Sequence, residues 1–311
     1  MDFRNVSKFN HTLSAILRGE WMLDIRFAVS HLPVVAAMLE GKPVSFIDRT
    51  GSEEGEAPFA VDPATMTRFE LYKWDAYGNR VPNPNMPANS VGIIPFNGPI
   101  TKYNGECGEA GMIQREKTLN EMLRRDSIGS IIQLIDTPGG EVSAAHNYSQ
   151  LVLSSKKPIL SLVDDMCCSL GMWFTSPSME VYATHDLCEI GSIGTYCTYA
   201  DFTEYYAKMG IKLIEVYAPQ SEDKNKAYRD LLAGLPEGRA AVQESLKRHT
   251  DKFISFVANS RGDKAKANID QWSTGKVFNA DEAIKLGLID GIKSLEQVVM
   301  KAAWLAKRSK N

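Results

Sequence analysis

The sequence predicts an α/β protein built around a mainly parallel sheet. Three observations carry that expectation. From Ser90 onward, short apolar runs alternate with segments of helical spacing. The runs Ile128 to Ile135 and Pro158 to Val163 are apolar almost throughout, as strands buried on both faces are. Each run then passes directly into a segment of glycine or small residues that leads to a helix.

Taken in order, residues 1 to 88 read as an appendage. Leu13, Ile16, Leu17, Trp21 and Met22 recur at helical spacing, as do Val34, Val35, Met38 and Leu39. Asp48 to Pro63, rich in Gly, Glu and Pro, reads as a mobile loop. Asn79 to Asn89, with Pro82, Pro84 and Pro87, reads as a linker or extended arm. From residue 89 to about 300 the α/β domain is expected. Its strands are Val91 to Phe96, Ile128 to Ile135, Pro158 to Val163, Val181 to Ala183 and Lys212 to Val216, with one more that Glu189 to Gly194 leads into. Its helices are Met112 to Leu123, Val142 to Ser154, the segment after Ser169, Asp201 to Met209, Pro236 to Arg261, and Asp281 to Leu286. Gly287 closes the last of these as a left-handed stop. Residues 301 to 311 read as a basic tail.

Composition narrows the function. The chain has 311 residues, 44% of them hydrophobic, and a net charge of -3, so no basic excess points to nucleic acid. The five cysteines form no framework of regular spacing and read as reduced, which implies a cytoplasmic setting. No signal peptide is evident, and the best apolar window, Phe27 to Leu39, is too short to span a bilayer. No metal or nucleotide motif is visible, and no cofactor is expected.

Chemistry concentrates in two stretches. Ser169 follows the Pro158 to Val163 strand and opens a helix, whose N-terminal N–H groups suit a nucleophile that generates an oxyanion. The bland alternative is that Ser169 only caps that helix. Cys167 and Cys168 are rival nucleophiles. The turn Asp136-Thr137-Pro138-Gly139-Gly140-Glu141 lets the backbone bring N–H groups close to a ligand, or serves only as a strand-to-helix turn. His185 and His146 read as a surface and a structural histidine.

Asp136-Thr137-Pro138-Gly139-Gly140-Glu141-Val142, then Cys168 to Trp173, then Gly191-Ser192-Ile193-Gly194, stand in a telling order. With Trp272 to Phe278 and Leu286 to Asp290, they resemble the serine-peptidase family of signal peptide peptidase A (protease IV) and the head-maturation proteases of tailed phages. The resemblance covers roughly residues 90 to 300 and implies the Clp-type protease/crotonase-like fold. It also implies Ser169 as nucleophile and a lysine base some fifty residues later. Lys224, 224 − 169 = 55 positions on, is the choice and Lys226 the reserve. The glycine and histidine that commonly precede this lysine in the family are not present here. Ser192 takes the position of the serine that orients the lysine, and the N–H groups of Gly140 and Leu170 that of the oxyanion donors.

The activity so implied is Ser-Lys endopeptidase chemistry on protein or peptide substrates by a homo-oligomer. The missing anchor and the N-terminal appendage tilt the reading toward capsid maturation, with scaffold or head proteins as partners, in host cytoplasm or procapsid. The alternatives are a cytosolic signal-peptide-peptidase-like protease, a crotonase-type acyl-CoA enzyme, and an inactive capsid component.

Overall fold

The computed structural model describes residues 20–23, 57–104, 110–199, 201, 203–212 and 214–309. Its strands are β1 (Glu20–Leu23), β2 (Phe59–Val61), β3 (Arg68–Glu70), β4 (Tyr72–Trp74), β5 (Arg80–Pro82), β6 (Ser90–Asn97) and β7 (Ile128–Thr137). They continue with β8 (Gly139–Glu141), β9 (Ile159–Cys168), β10 (Glu180–Ala183), β11 (Glu189–Gly191), β12 (Tyr196–Cys197), β13 (Val277–Asn279) and β14 (Gly291–Ile292). The helices are α1 (Met112–Arg124), α2 (His146–Leu153), α3 (Leu170–Thr175), α4 (Thr203–Lys208) and α5 (Lys226–Leu232). After them come α6 (Pro236–Arg261), α7 (Asp263–Ala267), α8 (Ile269–Trp272), α9 (Ala280–Leu286) and α10 (Leu295–Arg308).

Among the described residues, nine strands form the main sheet, in the path β13-β11-β9-β7-β6-β2-β3, with β10 on β9 and β14 on β10. The centre is parallel: β6 with β7, β7 with β9, and β9 with both β10 and β11. The ends are antiparallel, β2 on β6 and β13 on β11. Strand β9 forks. Leu160 to Val163 pair with β10, whereas Met166 to Cys168 pair with β11. The fork steers the last residues of β9 away from the flat sheet and toward the site.

Side chains alternate across the sheet with the period of two that pleating imposes. Ile94, Phe96, Ile131, Ile135 and Val163 face a large core shared with α1, α2, α3, α6 and α9. Val91, Ile93, Ile132, Leu160 and Leu162 face Val298, Val299, Ala302 and Ala303 of α10. Each fully buried aliphatic side chain of this kind contributes about 1.5–3 kcal/mol. At the centre of the larger core, Phe96 stacks on Phe174 of α3 at 4.6 Å, and Tyr148 of α2 meets both edge-on. The site-bearing helix α3 is therefore fixed from below by aromatic packing.

Several expectations need correction. Trp21 and Met22 lie on a strand, because β1 finds backbone partners on both sides. The rest of the expected helical stretches between 13 and 39 lies outside the described residues. Phe59 to Val61, inside the expected loop, is a strand paired with β6 on one side and β3 on the other. Arg80 to Pro82, expected to be linker, forms a hairpin with β4. Both β2 and β3 join the main sheet from the N-terminal side of the boundary expected at residue 88. Lys212 to Val216 alternates like a strand, yet its described residues are exposed and have no ladder partner. Residues 301 to 308 are no tail: they continue α10, whose Ala302, Ala303 and Ala306 are buried. Charge on one face of that helix hid the apolar stripe on the other.

Candidate active site

Ser169 occupies the junction between β9 and α3, with φ 54° and ψ −117°. That backbone conformation is strained for any residue with a Cβ and persists only where the surroundings impose it. Here they do. The Ser169 N–H donates to the Gly191 carbonyl at 2.7 Å, and its own carbonyl accepts from Met172 N–H at 2.9 Å. Its side chain makes no capping hydrogen bond to α3, so the capping role fails. A serine on a sharp strand-to-helix turn presents its Oγ clear of both elements. Only 1% of Ser169 is solvent-exposed in a single chain.

Ser192 mirrors this arrangement. Cys168 pairs with Gly191, so the residues following β9 and β11 emerge side by side. Ser192 is also at positive φ, 52°, and its N–H donates to the Lys276 carbonyl at 2.9 Å. Gly191, at φ 124°, has no alternative: a Cβ there would lie 2.6 Å from that same carbonyl. The Trp272 to Phe278 stretch thus acts on the site through β13, which braces Ser192 from behind. Trp272 is itself fully buried and donates its indole N–H to the Ala265 carbonyl at 2.8 Å.

The glycine turn lies on the other side of Ser169. Strand β7 runs to Thr137, and β8 resumes at Gly139, so the turn is tighter than the sequence suggests. A Cβ on Gly140 would fall 1.9 Å from the Ile100 carbonyl oxygen, so this backbone approach requires glycine. Glu141 closes it: its N–H donates to the Ile100 carbonyl at 2.9 Å and its Oε2 accepts the Lys102 N–H at 2.6 Å. Helix α3 rests against the same turn, since a Cβ on Gly171 would reach 2.8 Å from the Thr137 methyl. Leu170, the first residue of α3, has an N–H beyond the reach of the helix's own carbonyls.

The neighbouring cysteines are poor rivals. Burial pushes the Cys167 thiol up to about 12, leaving almost no thiolate at neutral pH. The Cys168 Sγ lies 3.8 Å from the Glu189 carbonyl, within the β9–β11 pair. His185 and His146 are exposed, His185 beside Cys188 and His146 at the start of α2.

The lysines stand apart. Lys224 sits in the turn between a 3-10 turn at Pro219–Ser221 and α5, and it is exposed. A lysine base needs desolvation, and the single chain does not supply it. Lys226 is also exposed, and its ammonium pairs with Asp230. That hydrogen bond and charge hold its pKa above the ordinary value, the opposite of what a base needs. The described residues between 203 and 235 form an arm with apolar side chains in solvent: Ile214 is 77% exposed and Val216 91%. The arm is tied to the body by α6, on which α5 packs as a tight hairpin at Gly238. Farther along α6, Thr250 shares a 2.6 Å hydrogen bond with Thr195, and Phe256 stacks on Trp173 of α3 at 5.0 Å. Ser169, Leu170, Gly140 and Ser192 therefore lie on neighbouring elements, whereas Lys224 is exposed in the turn before α5.

Among the described residues, no helix is long and apolar enough to cross a membrane, and no group of three His, Cys, Asp or Glu is placed to hold a metal ion.

The model of peptidase family S49 matches residues 152–309. A protein named as a protease in Methanocaldococcus jannaschii is 25% identical over 197 residues, covering 61% of this chain and 60% of its own length. Protease 4 of Haemophilus influenzae is 23% identical over 248 residues, covering 78% of this chain and 39% of its own length. The chain thus spans less than two thirds of the length of these relatives. An enoyl-CoA hydratase/isomerase family protein from Silicibacter pomeroyi superimposes with a TM-score of 0.43 at 13% identity, over 70% of this chain and 79% of that one.

Proposed function

Because the chain belongs to peptidase family S49, we propose that it cleaves peptide bonds through an acyl-enzyme on Ser169. The observation that supports this most is the backbone of Ser169. It is strained, fixed by hydrogen bonds to Gly191 and Met172, and not used for capping.

In this reading Ser169 Oγ attacks the substrate carbonyl while Lys224 Nζ takes its proton. The N–H groups of Gly140 and Leu170 hold the oxyanion; removing one such donor elsewhere costs about 10²–10³ in kcat. Lysine then protonates the departing amine. Water, deprotonated by the same lysine, hydrolyses the ester and frees the serine. Ser192 orients the lysine amine.

Lys224 reaches the site from a neighbouring copy in this proposal. Its exposure and the apolar side chains of its arm support that, because an interface would desolvate both. Closed rings are the ordinary outcome of a repeated head-to-tail contact. The resemblance to phage head-maturation proteases supports scaffold or head proteins as the natural substrates. The test is labelling by a fluorophosphonate. Wild-type protein should react at a single serine, and Ser169→Ala should not. Labelling that persists in the alanine variant would refute the assignment.

A further inference from the structure

The slot between the two loops that frame Ser169 is already filled. Strand β8, three residues long, carries Gly140; strand β12, two residues long, begins four positions after Ser192. The two do not pair with each other. Strand β1 lies between them, antiparallel to both. On one side Trp21 is opposite Glu141, Met22 opposite Gly140, and Leu23 opposite Gly139. On the other, Glu20 is opposite Cys197 and Trp21 opposite Tyr196.

This is the geometry of strand addition, in which an extended peptide gains main-chain hydrogen bonds from an exposed sheet edge. A segment inserted between β8 and β12 completes a three-stranded sheet. The direction is also informative. The C-terminal end of β1 lies opposite Gly139 and Gly140, and those glycines follow Thr137, on which the Ser169 helix rests. An extended substrate passing the nucleophile would need this same slot and this same backbone pairing.

We propose that β1 is the resident occupant of the peptide-binding slot, so that residues 20–23 compete in cis with extended peptide ligands. The identity of the competing ligand as substrate rests on the peptidase reading above. An attached competitor acts at an effective concentration of roughly millimolar. Apparent affinity for an external peptide falls by the fraction of time the slot is empty.

The experiment separates occupancy from catalysis. Full-length Ser169→Ala protein is titrated into a fluorescein-labelled synthetic peptide of residues 18 to 26, followed by anisotropy, with and without Trp21→Pro. Trp21 is the β1 residue paired on both sides, and proline there removes a ladder donor. Binding should tighten about tenfold or more in the proline variant; equal affinity overturns the proposal. Hydrogen exchange on the unsubstituted chain gives an answer that does not depend on the variant folding. Amides of Glu20 to Leu23 and of Tyr196 to Cys197 should be protected, and exchange at free-peptide rates at both strands also overturns it. A tenfold gain in affinity, with unsubstituted protein that never cleaves casein, would refute the peptidase reading and leave the occupied slot standing. Casein cleavage by the unsubstituted protein, with affinity unchanged by Trp21→Pro, would do the reverse.

Discussion

The surroundings of Ser169 and those of Lys224 differ in every physical respect. Ser169 is buried at the end of a central strand, on a backbone held by two hydrogen bonds, above a helix fixed by Phe96, Phe174 and Tyr148. Lys224 is exposed on an arm whose apolar residues face solvent. One half of the proposed dyad is thus pre-organised by the fold, while the other waits for a surface to desolvate it. A nucleophile gains from rigidity, whereas a lysine gains from burial, and a single copy supplies only the first.

The largest effect should come from Ser169→Ala, with loss of peptidase rate by at least about 10³-fold and little change in Tm. A variant that still cleaves casein at wild-type speed would move the nucleophile elsewhere. Gly140→Ala comes next. The added methyl meets the Ile100 carbonyl, so both activity and stability should fall, and circular dichroism melting with a casein assay reads both. The comparison between lysines follows: Lys224→Ala should lose activity, and Lys226→Ala should keep most of it. The hydrogen bond and charge of Asp230 hold the Lys226 pKa above its ordinary value, the wrong direction for a base.

For the pH profile the sign is simple. A lysine base works only when neutral, so kcat should rise as pH increases. A flat profile from pH 6 to 9 would exclude a lysine base. The smallest effect concerns Asp136. Burial, then the nearby Asp165 and Asp164, hold its carboxyl above the ordinary 3.8. The folded chain therefore binds this proton more readily than the unfolded one, and ionised Asp136 opposes folding at neutral pH. Asp136→Asn should raise Tm slightly at pH 7, and the gain should vanish as pH falls through that elevated pKa.

Much of the buried half was legible in the sequence, because burial writes itself into composition. Strands β6, β7 and β9 and helix α6 follow from apolar runs and helical spacing, and Gly287 adopts the left-handed stop expected of it at φ 83°. The motif order brought Ser169, Gly140, Leu170 and Ser192 into one neighbourhood. The exposed half was harder to read. Lys212 to Val216 carries the alternation of a strand without an edge to join, since pattern specifies a face and not a partner. Pro82 suggested a linker but ends a two-strand hairpin, a place where proline loses no ladder bond. Trp21 and Met22 fit a helical period, and only the gap between β8 and β12 makes their segment a strand.

Complementation between two inactive variants tests the central claim most directly. Ser169→Ala and Lys224→Ala proteins are each purified, unfolded, mixed, refolded together and assayed on casein. If the nucleophile and its base come from different copies, the mixture should recover a measurable fraction of wild-type activity while each variant refolded alone recovers none. A mixture as inactive as its components, at a size by light scattering that matches the wild-type assembly, would contradict the account.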